Sequence, residues 1–400
     1  MIVPYVNWQV FHKTFNRQSI VLETMPSSET YRAQKQKSSH SRQILRIVLE
    51  VLFMVAILAA LFLYVGVGSI YNALLHIKVE YLLLAFLMYF GINLLFTVRL
   101  RRVLSKNNVK TSFGKTLLAQ YAGMLTSDVT PGRSGYILTP VYLRDQNVPT
   151  SKGLSSVLGI QTFEFLIKVI GGIGAVIYLV KYVPSQTWNL LFPTQITGVN
   201  IGLLLAVLGI GLMMTGAIVL AAFTWSKRAI SVFDRIANSR FLKRFTGGLM
   251  GRLEEYKESS NSTSRAIPEI VILTVACWIL KGFEWYFLGW ALGITQIPWI
   301  AYFLIHPLVT ALAFVPITPA GIGVQEFGII GIFGLITNVP AHPELVAPIA
   351  AFALLARGLL IFEDLAGVPQ IVKSTSLIFS HKNPEEPLEP KPGGPPLTPI

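Results

Sequence analysis

Apolar stretches of about twenty residues recur along this 400-residue chain, at roughly 46–66, 79–98, 154–180, 199–224, 267–292 and 346–369. Each is long enough to cross about 30 Å of hydrocarbon as a helix, which takes about 20 residues. The polar positions between them alternate in character. Arg99, Arg101, Arg102, Lys106, Lys110 and Lys115 make one basic connection. A second runs from Lys227 to Arg265 and includes Arg235, Arg240, Lys243, Arg244 and Arg252. The connections around 67–78 and 182–198 carry almost no charge. Basic loops stay on the cytoplasmic side, so the N-terminus, both basic connections and the C-terminal tail are expected there, in a multi-pass protein of the cell membrane.

Two further apolar segments are broken by almost the same phrase. One reads Thr130-Pro131-Gly132-Arg133-Ser134-Gly135, the other Thr318-Pro319-Ala320-Gly321-Ile322-Gly323. Proline removes a backbone donor and glycine loosens the helix, so each phrase opens backbone at membrane depth. Such backbone is tolerated only inside protein or beside a watery cavity, and a pair of breaks in corresponding halves points to a transporter's binding site. The charge map makes both segments re-entrant hairpins, over roughly 116–143 and 299–337. Two proline-bearing membrane helices would explain the same phrases. The preferred fold is all-α and polytopic, with about six full spans and two hairpins. A repeat of about 79–180 returns inverted as about 267–369. The membrane domain covers 44–374, with a cytoplasmic basic loop at 225–266. A basic leader, 1–43, precedes it, and a proline-rich tail at 375–400 is expected to stay extended and disordered.

Composition adds the class and closes several alternatives. Only 13% of residues are charged and the mean hydropathy is +0.58, against about a quarter charged in soluble domains. The net charge of +13 lies in the loops and suits anionic headgroups better than nucleic acid. Cys277 is the lone cysteine and the six histidines show no ligand spacing, so neither disulfide nor metal is expected. No Walker loop, His-Glu-x-x-His or Gly-x-Ser-x-Gly occurs, and no cofactor or enzymatic chemistry is expected.

Charged residues inside spans cost about 2.5–3.5 kcal/mol each on insertion scales and require a reason. Glu164 and Lys168 are four apart in one span, and Lys281 and Glu284 three apart in another. Each pair can neutralise itself or line a polar path. Near the breaks stand Asp128 and Arg133, then Gln325 and Glu326, with Arg357 in the last span as a partner for Glu326. An arginine fork beside freed backbone donors suits a phosphate. Arg133 could equally staple its own turn through Asp128. The candidate substrate site is therefore Asp128, Thr130, Pro131, Arg133, Gly135, Thr318, Gly321, Gly323, Gln325 and Glu326. Glu164, Lys168, Lys281, Glu284 and Arg357 form a candidate polar path or gate. His306 reads as a hydrogen-bonded structural histidine, and Gly328, Gly331 and Gly334 as a face for close helix packing.

At these residues the chain resembles the flippase-like membrane domain of the lysylphosphatidylglycerol synthase family, whose stand-alone members are the UPF0104 membrane proteins. The likeness spans roughly 45–370 and is most specific at Pro319-Ala320-Gly321-Ile322-Gly323-Val324-Gln325-Glu326. Val98-Arg99-Leu100-Arg101, Pro131-Gly132-Arg133-Ser134-Gly135, Ser155-Ser156-Val157-Leu158 and Leu355-Ala356-Arg357 add to it. The family usually has Glu where this chain has Tyr136. It often has Glu-Arg followed by Asp where this chain has Ile160-Gln161 and then Glu164. The resemblance implies a membrane part that moves aminoacylated phospholipid between leaflets, without the soluble domain that performs aminoacyl transfer. The expected function is a lipid translocase for a phosphate-bearing or anionic lipid, compatible with a homo-oligomer. The alternatives are a non-catalytic membrane subunit serving a cytoplasmic enzyme, and a small-solute or ion transporter.

Overall fold

The computed structural model describes Leu52 and residues 54–191, 195–196, 199–226, 228, 253–313, 318 and 321–380. Backbone contacts divide the chain between Phe53 and Met54, and the architecture below is that of the second unit. The leader 1–43, most of the basic loop and the last twenty residues of the tail lie outside the described residues.

The protein is built from α-helices, with a two-residue antiparallel ladder between Gln195–Ile196 and Val199–Asn200. Helix α1 (Met54–Val65) and α2 (Val67–Leu75) meet at a 75° bend. Gly66 makes the corner at φ +86°, a conformation open to glycine without strain. The stretch expected as a connection around 67–78 is thus largely helical, because its uncharged residues continue an apolar face. Helix α3 (Val79–Lys106) is followed by α4 (Phe113–Asp128), a 3-10 coil Pro131–Leu138 and the single turn α5 (Thr139–Tyr142). The long α6 (Thr150–Tyr182), short α7 (Ser185–Leu191) and α8 (Ile201–Trp225) come next. Beyond the loop lie α9 (Leu253–Ser264), α10 (Ile267–Ala291), α11 (Trp299–Ala313), α12 (Val324–Thr337), α13 (Val346–Asp364) and α14 (Val368–Ser380).

Among the described residues, five helices are long and apolar enough to cross a membrane, or six if the bent pair α1–α2 counts as one span. The two broken segments behave differently. Helices α4, α11 and α12 have 16, 15 and 14 residues, about 21–24 Å at 1.5 Å per residue, short of a full crossing. The second arm of the first segment winds as a 3-10 coil over Pro131–Leu138 before its one α-helical turn. Pro131 sets its φ there, and Thr130 fastens the break: its Oγ1 donates to Thr126 O (2.9 Å) and accepts from Gly135 N (2.7 Å).

Glycine lets the elements come together where a side chain would collide. A Cβ on Gly282 would meet the Phe303 ring at 2.3 Å, and one on Gly328 would meet Leu312 Cδ1 at 2.4 Å. These positions seat α10 and α12 against α11. Trp285, Tyr302, Phe333 and Phe352 form an aromatic core between α10, α11, α12 and α13, with ring centroids 4.8 to 6.3 Å apart.

One basic residue departs from the charge map. Arg99 was grouped with the basic connection, but α3 runs on to Lys106 and buries Arg99 to 1% exposure. It donates to Thr274 Oγ1 (2.7 Å) and Glu164 Oε2 (2.9 Å), joining α3, α6 and α10. The Phe96 ring centroid lies 4.6 Å from its guanidinium carbon, so the helix gains a cross-link rather than a solvated charge.

Candidate functional site

A cavity of about 330 Å³ lies where both broken segments approach α3, α6, α8, α10, α11 and α13. Arg133 and Ser134 reach it from the first break, Gln325 and Glu326 from the second. Glu164 and Lys168 line it from α6, Lys281 from α10, His306 and Thr310 from α11, and Arg357 from α13. Ile92, Phe96, Phe165, Val219, Trp278 and Ile329 supply apolar wall. Ile137 and Val219 line the same cavity while 45% and 44% exposed, so its apolar side reaches the outer face of the bundle.

Each cation at the wall has a carboxylate behind or beside it. Arg133 donates to Asp128 Oδ1 at 2.5 Å. Lys168 donates to Glu164 Oε1 at 2.8 Å while Arg99 holds the other oxygen. Lys281 lies 2.6 Å from Glu284 Oε2 and 4.7 Å above the Tyr89 ring. Arg357 donates through Nε to Glu326 Oε1 and through Nη2 to Gln325 Oε1, both at 2.7 Å. Asp128 and Glu284 are buried and absent from the wall, so at those two pairs the positive partner is the one that faces the space. Pairing of this kind makes a charge tolerable in a low-dielectric bundle.

Backbone geometry aims Arg133. It sits at φ +54°, in the left-handed region that a side chain enters at some cost. Three contacts hold it there: Arg133 N to Thr130 O (3.1 Å), Ser127 Oγ to Arg133 O (2.9 Å) and the bond to Asp128. The turn thus points the guanidinium back over α4.

The structure brings together Arg133, Gln325, Glu326, Glu164, Lys168, Lys281 and Arg357, with Asp128 and Glu284 directly behind. The other candidates shape the breaks without lining the space. Thr130, Pro131 and Gly135 build the first turn. Thr318 is buried and accepts the Gly321 N–H at 3.2 Å, while Gly321 (φ +71°) and Gly323 (φ +87°) turn the chain into α12. Pro319 and Ala320 lie outside the described residues. Glu326 closes that turn by accepting Gly323 N at 2.5 Å, which leaves both its oxygens occupied. His306 bonds Thr310 through Nε2 (3.2 Å), lies edge-on to Trp285, and has no partner at Nδ1 among the described residues.

Residues of consequence also came from outside the candidate set. Arg99 is one. Tyr89 lines the cavity and donates to Asp364 Oδ2 at 3.0 Å, 275 positions away. Asn93 donates to Glu363 Oε2 at 3.4 Å. A lone Asn in an apolar run and an acidic pair ending the last span were the only signals available. Among the described residues no group of His, Cys, Asp and Glu is arranged to hold a metal ion.

Helices of spanning length around a partly apolar, charge-lined cavity define a polytopic helical membrane protein. The chain belongs to the lysylphosphatidylglycerol synthase TM region family, whose model matches residues 47–362. A UPF0104 membrane protein of Methanothermobacter thermautotrophicus is 22% identical over 313 residues, 72% of this chain and 83% of its own. A UPF0104 membrane protein of Pyrococcus horikoshii is 22% identical over 292 residues, 68% of this chain and 82% of its own.

Proposed function

We propose that the protein is a lipid translocase of the cell membrane that takes a phosphate-bearing headgroup into this cavity and passes it between leaflets. The observation that carries the reading is the wall itself. Four cations, Arg133 from the first broken segment and Lys168, Lys281 and Arg357 from three spans, converge on one space, beside apolar residues that reach the outer face. An anionic headgroup fits the first feature and acyl chains the second, whereas a small solute has no use for an apolar mouth.

In this reading α4 with its 3-10 coil, and α11 with α12, are re-entrant hairpins of an inverted repeat. Their short arms support that arrangement, and the breaks supply loosened backbone beside the headgroup. Arg133 grips the phosphate, Lys168 and Lys281 attract it, and Arg357 with Glu326 holds the second hairpin in place. Both termini are cytoplasmic, and no catalytic group is required.

The test is reconstitution into liposomes with headgroup-labelled phosphatidylglycerol, following leaflet exchange by chemical quenching. Exchange above protein-free liposomes is expected, and the paired variant Arg133→Ala/Asp128→Asn abolishes it without leaving a buried charge unpaired. Equal exchange by the folded variant overturns the site. No exchange of any labelled lipid by folded wild type favours the non-transporting subunit instead.

A further inference from the structure

We propose that Asn93, Glu363 and Asp364 form a binding site for a sodium ion, set beside the cavity and joined to it by Tyr89. The site itself stands apart from the lipid reading; its use in transport rests on that reading.

Bonds between α3 and α13 hold these residues together. Asn93 Nδ2 donates to Glu363 Oε2 and to Tyr89 O, both at 3.4 Å, and Tyr89 Oη donates to Asp364 Oδ2 at 3.0 Å. Asn93 and Asp364 are 0% exposed and Glu363 is 6% exposed. Each keeps one oxygen, Asn93 Oδ1, Glu363 Oε1 and Asp364 Oδ1, that receives no donor among the described residues. Asn93 stands about 20 Å from either end of α3 at 1.5 Å per residue, so the end of α13 brings two carboxyls to the middle of a span.

Charge sets this pair apart. Asp128, Glu164, Glu284 and Glu326 are each bonded to an arginine or a lysine, as is Asp145. Glu363 and Asp364 form no ion pair among the described residues. Lys281, 4.7 Å above the Tyr89 ring, is already 2.6 Å from Glu284. A buried carboxylate is stable as an anion only beside a cation, and acidic residues within a span mark ion paths. An all-oxygen set of carboxylates and an amide suits a hard cation. Calcium takes about six to eight oxygens and magnesium a near-ideal octahedron; among the described residues no group of three metal-binding acidic, His or Cys side chains stands here, which points to a monovalent ion. With one sodium the pair keeps one negative charge, which offsets the positive charge left over where Arg99 and Lys168 share Glu164.

Tyr89 connects the ion to the headgroup. Its side chain lines the cavity beneath Lys281, and its hydroxyl holds Asp364. A cation that draws on Asp364 therefore acts on a residue of the cavity wall. A sodium ion that travels with a monoanionic headgroup moves no net charge, and a sodium gradient becomes able to set the direction of lipid movement.

Equilibrium binding of radioactive sodium to the full chain in detergent tests the site without any lipid. Saturable binding is expected, and sodium chloride should raise the melting temperature above that in choline chloride of equal ionic strength. Glu363→Gln and Asp364→Asn keep the side-chain size and should each weaken sodium binding about tenfold or more. Tyr89→Phe keeps the ring, removes the bond that orients Asp364, and should also weaken it about tenfold. No saturable binding by folded wild type overturns the site, as does tighter binding of potassium or calcium than of sodium. Undiminished binding by both carboxamide variants, or by Tyr89→Phe and either of them, does the same. In liposomes a sodium gradient should then bias the exchange of labelled phosphatidylglycerol by wild type and not by Asp364→Asn. Exchange indifferent to the gradient overturns the coupling and leaves the lipid reading standing, whereas sodium binding without exchange of any labelled lipid overturns the lipid reading and leaves the ion site.

Discussion

The two broken segments carry the same kind of ion pair in opposite senses. At the first break the hairpin supplies the arginine, and its carboxylate, Asp128, lies five positions back in the same hairpin. At the second the hairpin supplies the carboxylate, and Arg357 comes from α13, thirty-one positions away. Glu326 is saturated by Gly323 N and Arg357, so that pair is a tertiary stitch which fixes where α12 begins. Arg133 is held locally, on a strained turn, with its guanidinium at the cavity wall. Similar sequence phrases have thus become a post tied to another helix and an arm tied to its own turn, and the difference lies in whether the partner is local.

The largest effect is expected where the post is broken. Glu326→Ala takes the carboxylate from Arg357 and frees the Gly323 turn, and should lower stability by about 3–5 kcal/mol, the loss typical of a halved buried pair; thermal unfolding in detergent reads it. If Arg133→Ala lowers the melting temperature as much, the contrast between post and arm is wrong. Next comes Gly321→Ala, because a Cβ would meet Ala313 Cα at 2.5 Å from a residue at φ +71°. Overpacking of that kind costs about 1–3 kcal/mol, against which Gly114→Ala, with open space around it, serves as control. A double-mutant cycle sharpens the comparison further. Coupling between Asp128 and Arg133 measured by stability should shrink when phosphatidylglycerol is present, while that between Glu326 and Arg357 should not. The smallest effect is expected for Lys168→Gln. Arg99 still holds Glu164, so folding persists, and phosphatidylglycerol affinity should drop about fivefold, on the order of the 1 kcal/mol given by one partly exposed charge.

Much of this was readable from local pattern. The apolar runs located the spans, and Glu164–Lys168 and Lys281–Glu284 followed from helical spacing, since three or four positions on a helix are one neighbourhood. Arg357 was found for Glu326 because few charges in spans were left to choose from. The contacts that were missed are long in sequence: Arg99 to Glu164 across 65 positions, and Tyr89 to Asp364 across 275. No period in the chain encodes them, and a charge at the end of an apolar run looks like an ordinary boundary. The 3-10 winding after Pro131 was hidden for another reason. It depends on Thr130, Ser127 and Asp128 gripping the coil, which sequence alone gives no order of preference among.

Just beyond Asp364, a Cβ on Gly367 would meet Ala122 N of α4 at 2.3 Å, so the two backbones touch. Helix α4 and the turn that follows α13 therefore share a hard seat and form a single block. A spin-label pair bridging that seat would report a fixed distance through a whole turnover. A label on the Pro131–Leu138 coil, read against the same block, would trace the stroke.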